Sequence, residues 1–447
     1  MSRHIKPSPS RRSFLGQAAA ASIATVALPT IVRSASANEE VRLAGVGVGG
    51  KGWVDINGAA KYGKVVAYCD IDTGPNRRGG YANAAEKWAD ARGYTDWRKL
   101  LDTEGKNLDA ITISTPDHMH APVTLTALRM GLATYTQKPL TRTVHEARTL
   151  TVAAKQAGVA TQMGNQGHSG AGYRTLVEAV QSGALGKVKG AHCWSNRPIW
   201  PQGINRPQGS DPIPDAVAWD LWLGVAAERP YKKGVYHPFN WRGWYDFGAG
   251  ALGDMGCHII DPAVWSLELE APTSVSYSGP KPNPETFPKQ ETLRYHFPAT
   301  KQTAGEIDLY WYDGGRMPSA EQAHLPSGFK LPTQGVMLVG SEATLACSHG
   351  GKPAIYAGGE PQKITKEIGG ADHYQIWVEA IKGGAEPNSS FAYAGPLTET
   401  VLLGVIASRV DAGELKWNAD KLQFSNSDAA NAFVRQEYRK GWEVEGL

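Results

Sequence analysis

Two groups of residues in this 447-residue chain have the types and spacing to move a proton and steady a developing charge. The first is Gln137-Lys138-Pro139, a lysine between an apolar run and a proline. Such a lysine is held at a strand end, where its ammonium can donate to a hydroxyl being oxidised and stabilise charge on that oxygen. The second is Asp254 and His258, four residues apart and so on one face if the segment is helical. A carboxylate beside an imidazole can fix its tautomer and raise its basicity. Other readings stay open: a capping pair at a helix start, or, with Asp261, ligands for a divalent metal.

A third group points to what those residues would act with. Gly47-x-Gly49-x-x-Gly52, with Gly50 inside it, follows a short apolar run. Glycines there permit a tight turn and let backbone amides approach a pyrophosphate at a helix N-terminus. Asp70 lies 23 residues beyond Gly47, at the end of the next apolar run, where its carboxylate is placed to accept from ribose hydroxyls. That argues for NAD; Arg77 and Arg78 close by leave NADP open. Ser114-Thr115-Pro116-Asp117-His118-Met119-His120 follows another apolar run. Ser114, Thr115, Pro116, His118 and His120 are therefore expected at a sheet's carboxyl edge, in contact with cofactor.

These residues need a scaffold. Apolar runs at 41–46, 64–69, 110–114, 132–136 and 160–163 alternate with helical stretches at 81–92, 121–130 and 147–156. Strands alternating with helices predict a parallel sheet, ending near Met163. Asn165, Gln166 and His168 follow at a crossover and are expected near the nicotinamide or substrate. Residues 195–250 are rich in Trp, Pro and Gly and read as long loops lining a pocket, with Trp241 and Arg242 as substrate contacts. Strand-like runs between 272 and 350 predict a mostly antiparallel sheet; 371–382 and 396–409 read as helices, with His373 a lesser site candidate. Cys69, Cys193, Cys257 and Cys347 are scattered and read as core thiols.

Taken together these motifs resemble the glucose–fructose oxidoreductase / inositol dehydrogenase / rhizopine-catabolism family (Gfo/Idh/MocA) over residues 41–447. The resemblance implies a Rossmann domain, a Glu-Lys-Pro motif and a C-terminal α/β domain with a large open sheet. Here Gln137 stands where the family has glutamate, while Lys138 and Pro139 are kept. By the same resemblance His258 is the proton acceptor and Asp254 orients it. The expected domains are a signal peptide at 1–37, an NAD(P)-binding domain at 38–163 and a substrate and oligomerisation domain at 164–447. The expected reaction is hydride transfer between a sugar, glycoside or polyol hydroxyl and a tightly bound nicotinamide cofactor, in a dimer or tetramer. The runners-up are NAD-dependent glycoside cleavage by transient oxidation and elimination, and a non-catalytic sugar-binding protein.

The bulk numbers bound the rest. Residues 1–37 carry five of the 46 basic side chains and no acid, which leaves 41 basic against 43 acidic. No basic footprint for nucleic acid remains. Ser10-Arg11-Arg12-Ser13-Phe14-Leu15, a short alanine-rich apolar stretch and Ala35-Ser36-Ala37 resemble a twin-arginine export signal with a cleavage site. Export in folded form, to the periplasm, is the expectation. An enzyme there meets little free nicotinamide, so it would have to hold and regenerate its own.

Overall fold

A computed structural model describes residues 40–75 and 78–447. The expected twin-arginine signal and Arg77 lie outside the described residues.

The first lobe runs β1 (Arg42–Val46), α1 (Lys51–Ala59), β2 (Lys64–Cys69), α2 (Tyr81–Lys87), β3 (Arg92–Tyr94), α3 (Trp97–Glu104), β4 (Ala110–Ile113), α4 (His120–Arg129), β5 (Ala133–Thr136), α5 (Val144–Ala157) and β6 (Thr161–Met163). All six strands are parallel, in the order β3-β2-β1-β4-β5-β6. The order reverses between β1 and β4, which opens a crevice at their carboxyl ends. Four of the five β1 residues are buried, and β4 and β5 are buried throughout, as expected of a sheet covered on both faces. The helix expected over 81–92 stops at Lys87. Arg92-Gly93-Tyr94 instead pairs with Ala67-Tyr68-Cys69 and extends the sheet. That pairing overrides local helical preference.

The second lobe comprises α6 (Ala171–Gln181), β7 (Val188–Trp194), α7 (Trp219–Leu223), α8 (Gly250–Ile259), α9 (Asp261–Leu267), β8 (Ser274–Ser278), β9 (Thr292–Phe297), β10 (Ile307–Tyr312), β11 (Gly335–Gly340), β12 (Thr344–Ser348), β13 (Pro353–Ala357), β14 (Glu360–Gln362), α10 (His373–Ile381), α11 (Phe391–Ala407), β15 (Glu414–Asn418) and β16 (Gln423–Phe424). Its ten-stranded sheet is antiparallel except where β7 meets β10. The chain is thus α/β, a parallel Rossmann-type sheet joined to a large, mostly antiparallel one. Strands β9 and β10 alternate buried and half-buried positions, so one face carries the helices and the other stays open.

Two features of the assembly position the site. Strand β11 is antiparallel to both β7 and β12, with Gly335 level with Trp194 and Ser348. The chain therefore leaves β7 and β12 at one edge, towards Arg197 and His349. Helix α10 returns to the first lobe, where Trp377, Val378 and Ile381 share a core with Leu43, Val48, Ile56 and Tyr135. The four cysteines are buried and free.

Candidate active site

The glycine loop joins β1 to α1 at the β1/β4 crevice. Gly47 has φ +75, and a Cβ there would lie 2.7 Å from the Ser114 carbonyl oxygen. A Cβ on Gly52 would lie 1.8 Å from the Gly47 carbonyl oxygen. Both positions require glycine. Gly50 has φ +57 with open space around it. Asp70 closes the loop from below: one carboxylate oxygen accepts from the Val48 and Gly49 amides at 3.0 and 3.1 Å, the other from the Asp72 amide at 3.1 Å. Burial pushes its carboxyl up, and those amides oppose the shift. Any ribose contact would share oxygens already holding the loop.

The segment after β4 divides. Thr115 Oγ1 is buried and has no hydrogen-bond partner among the described residues. Pro116 precedes a single 3-10 turn at Asp117–Met119. His118 and His120 turn inwards and do not face the crevice. The ring nitrogens of His118 lie 3.3 and 3.0 Å from the Phe247 and Trp222 carbonyls. Those of His120 lie 2.7 and 2.9 Å from the Pro139 and Thr115 carbonyls. Burial lowers them to about 3 and about 4, so each ring is neutral and donates to one of its two carbonyls, the other being a close approach. His120 ties the Thr115 turn to the loop that carries Lys138.

Gln137 donates to Asp55 at 2.9 Å, and Ser114 Oγ and the Tyr374 hydroxyl donate to the same carboxylate at 2.8 Å each. Lys51, one turn earlier on α1, is ion-paired with it. Asp55 is fully buried. A glutamate at 137 would face this carboxylate across a hydrogen-bond distance, so the amide is what this surrounding requires. Lys51, Asp55 and Tyr374 escaped the sequence reading. The i, i+4 spacing of Lys51 and Asp55 was visible, but Tyr374 comes from α10, over 300 residues away.

Lys138 and Asp254 meet across the lobes. The lysine Nζ lies 2.8 Å from Asp254 Oδ1 and 2.7 Å from its carbonyl oxygen. Arg242 Nε lies 3.3 Å from the same Oδ1, and Arg197 Nε 3.9 Å from Oδ2. Burial would raise Asp254, but Lys138 and Arg242 overrule it and hold the carboxyl well below the usual carboxylate range. The expected Asp254–His258 hydrogen bond is not formed. Both residues are on α8, but Asp254 turns to the lysine, which offers a full charge where a neutral imidazole does not. His258 Nδ1 is buried with no partner among the described residues. Burial first, then Lys138 and His349, lower this imidazole well below its ordinary value, so it is neutral. The His349 ring lies 5.2 Å from it. Asp117, buried beneath, accepts from the Ala249 amide at 3.1 Å; burial lifts its carboxyl to about 7 against the pull of Lys138 and Arg242.

The remaining expected contacts are placed as follows. Asp261 lies in a separate buried cluster, accepting from Asn165 at 3.2 Å, His168 at 3.0 Å and Tyr393 at 2.5 Å. It does not join Asp254 and His258. Among the described residues no three acids, histidines or cysteines gather to hold a metal. Asn165 and His168 are buried and committed to Asp261, with His168 stacked on Trp265. Gln166 is half-buried and donates to the Tyr135 hydroxyl at 2.7 Å. His373 is buried against Ser169 and the Met163 carbonyl. Trp241 is buried among Trp219, Trp222, Trp244 and Phe247, and Arg242 stacks over it at 4.2 Å. The aromatic loops thus mostly form their own small core and present Arg242 on top of it.

This arrangement fits a nicotinamide dinucleotide. A glycine cradle that rejects any side chain opens at the β1/β4 crevice, with an orphaned hydroxyl on Thr115 beside it and an orphaned imidazole on His258 in the facing lobe.

Comparison with known proteins gives the same reading. Residues 41–165 match the model described as an oxidoreductase family, NAD-binding Rossmann fold, and residues 176–302 match that of its C-terminal alpha/beta domain. Levoglucosan dehydrogenase of Pseudarthrobacter phenanthrenivorans is 24% identical over 185 residues, 41% of this chain and 38% of that protein. The NAD-dependent scyllo-inositol 2-dehydrogenase of Bacillus subtilis is 28% identical over 127 residues, 28% of this chain and 32% of that protein. The chain therefore spans well under half the length of these curated relatives. Among solved structures, the WlbA dehydrogenase of Bordetella pertussis in complex with NADH and UDP-GlcNAcA superposes with a TM-score of 0.61 at 16% identity, covering 85% of this chain and 99% of that one. An inositol dehydrogenase homolog from Azotobacter vinelandii with NADH and myo-inositol gives 0.57 at 16% identity, covering 86% and 100%. Those two share the fold. With both of its domain models matched in order, the chain belongs to the Gfo/Idh/MocA oxidoreductase family, and its first lobe is that family's NAD-binding Rossmann domain.

Proposed function

We propose that this protein is an NAD(P)-dependent dehydrogenase acting on a CH–OH group of a sugar, glycoside or polyol. The observation that carries the reading is the convergence of Lys138 from the first lobe with Asp254 from the second, 2.8 Å apart and one helical turn from His258. The named activities of the relatives, on levoglucosan and scyllo-inositol, favour the same substrate class.

A bound nicotinamide dinucleotide would accept or return the hydride. Gly47, Gly49, Gly50 and Gly52 form its cradle, with Asp70 and Thr115 beside it. The chain's own residues then divide the work. Lys138 donates to the reacting oxygen and offsets charge there as the hydroxyl becomes a carbonyl. Asp254 holds that ammonium in place through its carboxylate and its carbonyl. His258, a neutral imidazole one helical turn from Asp254, is the acceptor of the hydroxyl proton in this reading. Buried His118 and His120 keep their two loops rigid, which near-attack geometry demands.

Lys138→Met tests the assignment. Nucleotide released from the purified variant should match wild type by mass spectrometry, while turnover at 340 nm falls about 10²- to 10⁴-fold. Undiminished turnover would remove Lys138 from the reaction.

Export in folded form to the periplasm is supported by Arg11-Arg12 and Ala35-Ser36-Ala37, and is tested by replacing both arginines with lysine and following the protein by fractionation. A tightly held cofactor follows from that location, and its retention through gel filtration is the check. A homo-oligomer built through the open sheet face is supported by the half-buried stack of His192, Tyr310 and Tyr312 on that face. Sedimentation of Tyr310→Lys would test it.

A further inference from the structure

The cations around Asp254 exceed what one carboxylate needs. Lys138 and Arg242 hold Oδ1 at 2.8 and 3.3 Å. Arg197 is left with its nearest carboxylate oxygen at 3.9 Å, beyond hydrogen-bond distance. Among the described residues, the side-chain acceptor within hydrogen-bond distance of its guanidinium is the neutral Asn196 amide oxygen, at 2.6 Å. Guanidinium groups as enclosed as this one, about a quarter exposed, normally bond a carboxylate or phosphate at about 2.7–2.9 Å. The second acid nearby, Asp117, spends an oxygen on the Ala249 amide, and burial lifts its carboxyl to about 7, so at neutral pH it supplies only about half of a negative charge. His258 and His349 add no negative charge. Three cations therefore face one full anion, Asp254, and the partial charge of Asp117, all on side chains at most a quarter exposed, and an oxidised nicotinamide would add a further positive charge. Such a surplus is costly in a low-dielectric site unless a ligand brings the counter-charge.

The position of Arg197 is as telling as its charge. It follows β7 at the edge where His349 follows β12, and Gly314 anchors its carbonyl at 2.7 Å. It stands on a strand-end scaffold on the substrate-lobe side of Lys138, well away from the glycine loop.

We propose that the substrate is a sugar bearing an anionic oxyacid group, a uronic or aldonic acid or a sugar phosphate, and that Arg197 with Arg242 receives that group while Lys138 and His258 address the reacting hydroxyl. This rests on the dehydrogenase reading for the reaction, but the charge preference is measurable without turnover.

The test is calorimetric titration of the nucleotide-loaded protein with matched pairs: D-glucose against D-glucuronate and D-gluconate, D-galactose against D-galacturonate, and D-glucose 6-phosphate. At least one anionic member should bind about 10- to 100-fold tighter than its neutral partner, the range of one charge-assisted hydrogen bond. The carboxylate and phosphate arms tell the two sources apart. Arg197→Gln should cut that ratio about tenfold or more. Should Arg197→Gln fold poorly, wild type supplies the second measurement: raising salt from 20 to 300 mM, roughly a fourfold change in Debye length, should weaken the anion and spare the neutral sugar. Equal affinity within every pair, no anionic binding at all, or a ratio unmoved by Arg197→Gln overturns the proposal. Absorbance at 340 nm is read in parallel. Preferential anion binding without reduction of nucleotide defeats the dehydrogenase reading alone. Turnover of neutral sugars without any anion preference defeats this inference alone.

Discussion

At the scale of single residues, the site is a set of charges placed where burial would otherwise forbid them. Asp55 shows how the Gln137 departure is absorbed. The family's glutamate would set two carboxylates together; glutamine donates instead, and the negative charge sits on α1. Gln137→Glu should cost roughly 1–3 kcal/mol at pH 8. The new carboxyl would have its folded pKa raised, so the variant is closest to wild type below pH 4 and loses stability as pH rises. Denaturant melts at pH 5 and pH 8 check the sign. Asp254 is the opposite case. Lys138 and Arg242 hold its folded pKa below the unfolded value, so its contribution is present above about pH 4 and disappears as pH falls. Asp254→Asn should therefore cost about 3 kcal/mol at pH 7, with the gap to wild type closing in acid. The mechanism adds that its KM changes less than its kcat, because Lys138 stays but loses its aim. Lys138, Asp254, His258 and the glycines could be read from residue type and spacing. Arg197 and His349 carried no such signal, since a lone arginine or histidine in a loop looks like any solvated side chain.

At the scale of elements, packing fixes where these charges stand. Helix α10 lies against α1 so closely that a Cβ on Gly58 would meet the Tyr374 ring at 2.4 Å. Gly58→Ala should push α10 away and cost roughly 1–3 kcal/mol. It should also weaken nucleotide binding, because Tyr374 would no longer reach Asp55; fluorescence titration with NADH reads this. Helix α8 starts where Ala249 donates to Asp117, and the loop after β4 is thereby tied to the second lobe. The Asp117 carboxyl is raised to about 7, so the stability it contributes is full below about pH 4 and is lost as pH rises through 7. Wild type should lose melting temperature between pH 6 and 8, while Asp117→Asn, still able to accept from Ala249, should stay flat. Strands β1, β2 and β4 were legible because each is a short, mostly apolar run. The helix expected over 81–92 ended early because β3 owes its existence to pairing with β2 and not to its own sequence.

At the scale of the whole molecule, the C-terminal region belongs to both lobes. Arg98 stacks on Trp442 at 4.0 Å, Tyr438 donates to Glu146 at 2.7 Å, and Arg129 donates to the Glu445 carbonyl at 2.6 Å. The division at Met163 describes the sheets but not the packing. Trp442→Ala should cost about 3 kcal/mol, and removing residues 438–447 should cost more while lowering nucleotide affinity; thermal melts with and without NADH separate the two effects. The sequence alone determined the alternation that makes a parallel sheet, the glycines that only a close-approach loop tolerates, and the lysine and histidine to which the proposed chemistry is assigned. Those are local properties, set by steric limits within a few residues and by hydrophobic period. Which charges neighbour one another was decided only by the tertiary structure: Asp254 turned to Lys138 and left His258, Gln137 met Asp55, and Arg197 came to stand 3.9 Å from the same Asp254 carboxylate. Such pairings depend on where distant strand ends meet, and Coulomb energy in a buried cleft reads separation in space, which spacing along the chain does not encode.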